Sequence, residues 1–257
     1  MSEWTFGIIT DGSQPNRVLT IIDSIHKEKI PEYEIIIVGG ECPLELNPDT
    51  KNRLSGGALT KDNEEFVYQH IPFDESIKKA WITRKKNLIA QHALFNNLCI
   101  MHDYVALEPG WYQGCEEFGY DWYTCMHRVL NKDGARYRDW CMISNDAWMR
   151  PPIDKTQPPR EFAGRFLDYN NNTWGRWQYY SGAYFCVKRD VLLEVPLDEA
   201  RVASEGEDVQ WSRLLYYRYG QQAFTMNDKT AVRFLKYKDP VPWQHLPVIT
   251  GVYPYVH

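Results

Sequence analysis

Residues able to do chemistry gather where one apolar run stops. Leu98, Cys99, Ile100 and Met101 lead into His102, Asp103 and Tyr104. Val105-Ala106-Leu107 then reach a Pro-Gly turn at Pro109 and Gly110, just before Trp111. The run is too short for a helix and has polar flanks, which predicts a buried strand. In open α/β sheets ligands lie outside the carboxyl ends of the strands. An Asp and a His there can hold a metal or a polyol; Asp103 equally suits a cap on the next turn. A second group is basic: Lys78, Lys79, Arg84, Lys85 and Lys86 precede that strand in an otherwise acidic chain. Such a cluster suits a phosphate-bearing small ligand, or else a solvated helix face. A third group, Glu205-Gly206-Glu207-Asp208, heads an apolar-periodic segment, where the positive end of a helix favours carboxylates.

The elements that must position these groups follow from the apolar pattern. Trp4 to Thr10 predicts a strand, and Pro15 opens a helix with Val18, Leu19, Ile21, Ile22 and Ile25 at helical spacing. Pro31 stops that helix, and Tyr33 to Val38 is a second buried strand ending on Gly39-Gly40-Glu41. A strand, helix and strand joined this way imply a parallel pair with a right-handed crossover. No GxGxxG follows the first strand, so an ordinary dinucleotide site is not expected.

Residues 42–62 read as loop, Phe66 to Ile71 as a short strand, and Ser76 to Asn96 as a helix in front of the central strand. Residues 122–130 and 137–143, around the turn Asn131 to Gly134, predict an antiparallel hairpin. Residues 150–178, with four prolines and an Asn triplet, predict a long ordered loop or a lid. Tyr179 to Val187 predicts a strand, Glu205 to Gly220 a helix with its acidic head and glycine stop, and Ala223 to Met226 a last strand before an extended tail. One unit, parallel in its first half and mixed in its second, accommodates all of this.

At 257 residues the chain is long enough for a sizeable core. A net charge of -5 argues against bulk attraction to nucleic acid or an anionic membrane. The six cysteines have no CxxC spacing, which predicts a reducing compartment without a disulfide framework or zinc site. No run approaches a membrane span and the first residues do not read as a signal peptide, so the expected location is cytoplasmic. Tryptophan and tyrosine are abundant, and their flat faces suit stacking on sugars as well as core packing.

Taken in order, these motifs resemble the family-2-like glycosyltransferases of the GT-A fold over most of the chain. Thr10 and Asp11 follow the first strand, Gly39 to Glu41 the second, and Arg84 to Asn87 lie on the helix. His102-Asp103-Tyr104 stands at the family's Asp-x-Asp position, with Leu107-Glu108-Pro109-Gly110-Trp111 behind it. Ser181-Gly182-Ala183, Leu197-Asp198-Glu199 and Glu207-Asp208 come later in the family's order.

The resemblance implies an α/β GT-A fold: a Rossmann-like nucleotide-binding half, a mixed central sheet with helices on both faces, and an acceptor-side half. It implies a single domain over 1–257, with 1–111 as the nucleotide-sugar half and 112–257 as the acceptor half and tail. The implied activity moves a sugar from a nucleoside-diphosphate sugar, first of all a UDP-sugar, to an acceptor hydroxyl with inversion. The acceptor is a glycan, lipid-linked sugar, protein or small molecule. Asp208 is then the base with Glu207 beside it, and Glu205 is its rival. Thr10, Asp11, Gly39, Gly40, Glu41, Arg84, Lys85, Asn87 and His102 would contact the donor. A divalent metal, Mn2+ or Mg2+, would sit at Asp103, with His245, or alternatively His257, as a late ligand. Trp174, Trp177, Tyr180 and Gly182 would line the acceptor cleft, the three rings equally being core. The family motif offers two acidic residues where this chain has one, which leaves metal-independent donor binding open. Two further readings share the fold: a non-catalytic protein binding a nucleotide sugar or glycan, and a transferase glycosylating modified nucleic acid. The net acidity disfavours the latter.

Overall fold

A computed structural model describes residues 3–40, 67–142, 165–203, 205–240 and 245–251. The early apolar runs form β1 (Glu3–Ile9), β2 (Glu32–Val38) and β3 (Val67–Ile71), all parallel. Between the first two lies α1 (Pro15–Lys27), whose Val18, Ile21, Ile22 and Ile25 make one buried stripe. The strand carrying the His-Asp-Tyr stretch is β4 (Asn97–His102), parallel to β1 on its other side. Strand order thus reverses at β1, and right-handed connections place α1 and α2 (Ile82–His92) on opposite faces. Gly7 permits the close approach of α2: a Cβ there would lie 2.5 Å from the Ile89 side chain. A crevice opens at such a reversal, beyond the carboxyl ends of β1 and β4.

The second half adds β5 (Val105–Leu107), α3 (Trp111–Phe118), β6 (Thr124–Leu130), β7 (Trp140–Met142), β8 (Gln178–Tyr180) and β9 (Tyr184–Lys188). After these come α4 (Arg189–Glu194), α5 (Glu207–Tyr219) and β10 (Phe224–Phe234). The main sheet runs β3-β2-β1-β4-β9-β6-β10-β5, with β7 and β8 paired separately. Strand β9 is antiparallel to both β4 and β6, whereas β6 and β10 are parallel. Trp4 and Phe6 of β1 pack on Trp111 with ring centroids 4.8 and 5.6 Å away. All three are fully buried, and removing a ring of that size from water contributes roughly 3 kcal/mol.

Several elements differ from the sequence expectation for local reasons. The helix expected over Ser76–Asn96 begins only at Ile82. Asp74 draws the Ser76 amide and hydroxyl into a turn, and Ala80 is left-handed at φ 56°. The Lys78 ammonium and Trp81 indole also reach across to carbonyls of Glu199 and Ala200. These bonds compete with a helical start. The expected hairpin closes its turn, with Asn131 N–H donating to Ala135 at 2.8 Å and Leu130 bridging Arg136. Its strands then part: Arg138 turns the chain at φ 29°, and β7 pairs with β8 instead.

The strand expected over Tyr179–Val187 breaks at Ser181–Ala183 into β8 and β9, which belong to different sheets. The strand expected at Ala223–Met226 is the front of the longer β10. Of the expected loop or lid at 150–178, the part from 165 onward is described and is packed into the core through Phe166, Leu167, Trp174 and Trp177. The loop at 42–62 lies outside the described residues. Among the described residues five cysteines are free and buried, and no helix is long and apolar enough to cross a membrane.

Candidate active site

The carboxyl ends of β1, β2 and β4 are tied together by backbone. Thr10 N–H donates to Val38, and Asp103 N–H donates to Ile9, each at 3.1 Å. The Thr10 hydroxyl donates to Oδ2 of Asp103 at 2.7 Å, and its carbonyl accepts the Lys85 ammonium at 2.6 Å. Lys85 is also paired with Glu75. Gly39, at φ 97°, has no room for a side chain, since a Cβ would meet the Thr10 carbonyl at 2.2 Å. In front of these turns lies a cavity of about 920 Å³, lined by Thr10, Asp11, Gly40, Lys85, His102 and Asp103 among others. The Phe73 ring and Lys236 complete its walls.

A second cavity, about 360 Å³, is lined by Ser181, Gly182, Glu207, Asp208, Arg138 and Lys238. Its floor is built by the break between β8 and β9. The Gly182 amide donates to Oδ2 of Asp208 at 2.8 Å, and its carbonyl accepts the buried Lys86 ammonium at 2.7 Å. Oδ1 of Asp208 accepts the Val209 amide at 2.9 Å, so the first turn of α5 fixes this carboxylate. Glu207 lies 4.0 Å from Lys86. Burial, with Asp208 adjacent, raises the Glu207 pKa despite the lysine.

The two cavities adjoin. Ile82, His102, Tyr104 and Ala203 line both, which places Asp103 and Asp208 on either side of one bipartite cleft. His102 stands at the junction with Nε2 buried and without a hydrogen-bond partner. Burial, reinforced by the charges of Lys86, Lys238, Lys236 and Lys85, holds its pKa well below the usual histidine range. It is therefore neutral at pH 7. Burial, with Asp11 nearby, also raises the Asp103 pKa against the Thr10 hydrogen bond.

This donor set does not fit a divalent ion. Asp103 and His102 stand among lysines, with Asp11 nearby and Glu75 held by Lys85, so too few free oxygen ligands converge at Asp103 for such an ion. Among the described residues no group of three or more His, Cys, Asp or Glu is placed to hold a metal. His245 is exposed and lines neither cavity. His257 and Glu41 lie outside the described residues.

Other expected site residues serve the scaffold. Arg84 pairs with Glu199 at 3.0 Å, and Asn87 bonds the Leu197 backbone and the Glu199 carboxylate. Glu205 is exposed and accepts the Val202 amide. Trp174, Trp177 and Tyr180 are at most 2% exposed and pack as core rings, so the structure brings none of them to the cleft. Arg138, Lys236 and Lys238 carry no motif of their own in the sequence, where Lys86 reads only as one member of a basic run. Helical phase carried a signal for Lys86, which falls on the same face as Ile82, Ile89 and Ala90.

No protein-family model and no curated protein matches the sequence. Among solved structures the chain is similar to GalNAc-T7 crystallised with UDP, GalNAc and Mn2+. The TM-score is 0.59 at 13% identity, over 92% of this chain and 44% of that one. It is also similar to residues 1–349 of S. aureus TarS, with a TM-score of 0.50 at 9% identity over 91% and 59% of the two chains. The chain thus spans less than two thirds of either protein. The match extends along nearly all of this chain, and its fold is the GT-A glycosyltransferase fold.

Proposed function

We propose that this protein transfers a sugar from a nucleoside-diphosphate sugar to an acceptor hydroxyl. What carries the reading is the meeting of two cavities at His102 and Tyr104, one holding Thr10, Asp11, Lys85 and Asp103, the other holding Asp208. The nucleotide of the donor, UDP first of all, lies in the larger cavity between the turns at 10–12 and 39–40. Asp103 and Asp11 accept hydrogen bonds from ribose hydroxyls there. Lys85 supports this from behind through the Thr10 carbonyl.

The acceptor enters the smaller cavity with a hydroxyl at Asp208. As its oxygen bonds the anomeric carbon, Asp208 takes the hydroxyl proton. The bond from that carbon to the diphosphate breaks, and its electron pair leaves on the phosphate oxygen. In this reading attack and departure are one displacement, which inverts the anomeric centre. GalNAc-T7 was crystallised with Mn2+, but the donor set at Asp103 supports no such step here, and none is assigned.

The single carboxylate in His102-Asp103-Tyr104 also favours a second reading, a protein that binds a nucleotide sugar without turning it over. A panel of nucleoside-diphosphate sugars decides between them. The transferase reading expects one donor to raise the melting temperature and to release its nucleoside diphosphate when acceptors are supplied. Stabilisation without release would favour the second reading, and no stabilisation by any donor would overturn both.

A further inference from the structure

Three cations gather where the cavities meet. The Lys236 and Lys238 ammonium groups stand 3.9 and 4.7 Å from the centroid of the Tyr104 ring. Lys236 lines the larger cavity, Lys238 and Arg138 line the smaller, and Tyr104 lines both. The chain builds this cluster with care for position. Leu235 N–H donates to the Tyr104 carbonyl at 2.8 Å, and Asn131 holds the Lys238 backbone from both its amide and its carbonyl. Arg138 is turned inward at φ 29°, a strained conformation for a residue with a side chain. One of its terminal nitrogens donates to the Tyr179 hydroxyl at 3.1 Å, while its Nε is buried without a partner.

Other cations around the cleft and the sheet have carboxylates, as Lys85 has Glu75, Arg84 has Glu199 and Arg233 has Glu108. Arg138, Lys236 and Lys238 form no ion pair among the described residues. Burial, with Lys236 and Arg138 nearby, lowers the Lys238 pKa. Like charges held together in this way are relieved when a polyanion arrives.

We infer that Arg138, Lys236 and Lys238, set around Tyr104, form the cradle for the donor's diphosphate and neutralise it as it departs without a divalent ion. This rests on the transferase reading given above. When the bond between the anomeric carbon and oxygen breaks, the electron pair stays on the β-phosphate oxygen, and fixed positive charge stabilises it there. The acceptor proton goes to Asp208, which lines the smaller cavity together with Arg138 and Lys238.

The test is calorimetric titration of the full chain with inorganic pyrophosphate in the presence of EDTA, with UDP as competitor. Pyrophosphate should bind without metal and be displaced by UDP. Affinity should fall about tenfold for each of Lys236→Gln and Lys238→Gln, the worth of one charge-assisted hydrogen bond. The charge-matched control Lys132→Gln/Lys229→Gln, on exposed positions, should bind as wild type. The double variant Lys236→Arg/Lys238→Arg should retain binding, which separates charge from folding. Binding that requires Mn2+, that survives both glutamine substitutions, or that UDP does not displace would overturn the cradle.

The two proposals fail separately. Metal-free pyrophosphate binding through the lysines, with no donor turned over, leaves the cradle standing and removes the transferase reading. Donor turnover that needs Mn2+ and ignores the lysine variants does the reverse.

Discussion

The Gly182 amide meets Oδ2 of Asp208 across 2.8 Å, fastening the break between β8 and β9 to the first turn of α5. The carbonyl of the same glycine is held by the buried Lys86 ammonium at 2.7 Å, so this residue is gripped from both ends. With Oδ1 also accepting the Val209 amide, the carboxylate is anchored at both oxygens and presents its remaining lone pairs in fixed directions. That suits a group whose task is to receive a proton at one point in space.

Asp208→Asn keeps the shape and removes the carboxylate proposed as the base. Transfer should fall by about 10²–10⁴ in kcat, while calorimetry shows the nucleoside diphosphate bound as before. Transfer near the wild-type rate would show that Asp208 is not the base.

Gly182→Ala tests how tightly that carboxylate is set. A Cβ there would stand 2.8 Å from Glu207 Oε1, 3.1 Å from Lys86 Nζ and 3.2 Å from Asp208 Cβ. Overpacking of this kind costs about 1–3 kcal/mol. Chemical denaturation should show that loss, and kcat should fall with little change in the donor KM. An unchanged kcat would mean that the position of Asp208 is not critical.

Lys86→Met removes a fully buried cation beside Glu207 and Asp208 and leaves them the weaker influence of Arg138. Loss of one partner from a buried charge group costs about 3 kcal/mol. The pH dependence has a definite sign. Unfolded Glu207 releases its proton near 4.5, while the folded residue holds on to higher pH. The native state binds more protons in that window, so stability falls as pH rises through it. Without Lys86 the window widens upward, and urea denaturation between pH 4.5 and 8 should show a steeper fall than wild type. Equal slopes would show that Lys86 does not act on Glu207.

Much of the fold was legible because its physics is local. Ile-rich runs, Pro15, Pro31 and the Gly220 stop define β1, α1, β2 and α5 without reference to the rest of the chain. The end of β4 and the acidic head of α5 were legible for the same reason. Long-range choices were not. Nothing near Trp140–Met142 says that Gln178–Tyr180 is a better partner than Thr124–Leu130; the turn at Arg138 and the packing of Trp140 settle it. Arg84 and Asn87 read as ligand residues because the motif lacks the loop at 197–199 that occupies them. Lys236 and Lys238 follow the last strand and gain meaning only once β10 delivers them to Tyr104.

His127 provides a pH test away from the cleft. It is buried, accepts the Trp111 indole N–H at 3.0 Å and meets the Tyr184 hydroxyl, and burial pushes its pKa down to about 3. The unfolded residue takes up a proton near 6.5 and the folded one does not, so stability is lost as pH falls below 6.5. At pH 5 that loss is about 2 kcal/mol relative to pH 7. His127→Gln should be less stable at pH 7 but should melt with a flatter dependence between pH 7 and 5. A variant with the wild-type slope would place the acid sensitivity elsewhere.

The most direct test of the cleft is a crystal structure of the protein with a bound nucleoside-diphosphate sugar. The nucleotide is expected between the turns at Thr10 and Gly40, the diphosphate beside Tyr104, and the anomeric carbon facing Asp208. A nucleotide sugar seated elsewhere, or one whose sugar points away from Asp208, would contradict the assignment of these two cavities to one reaction.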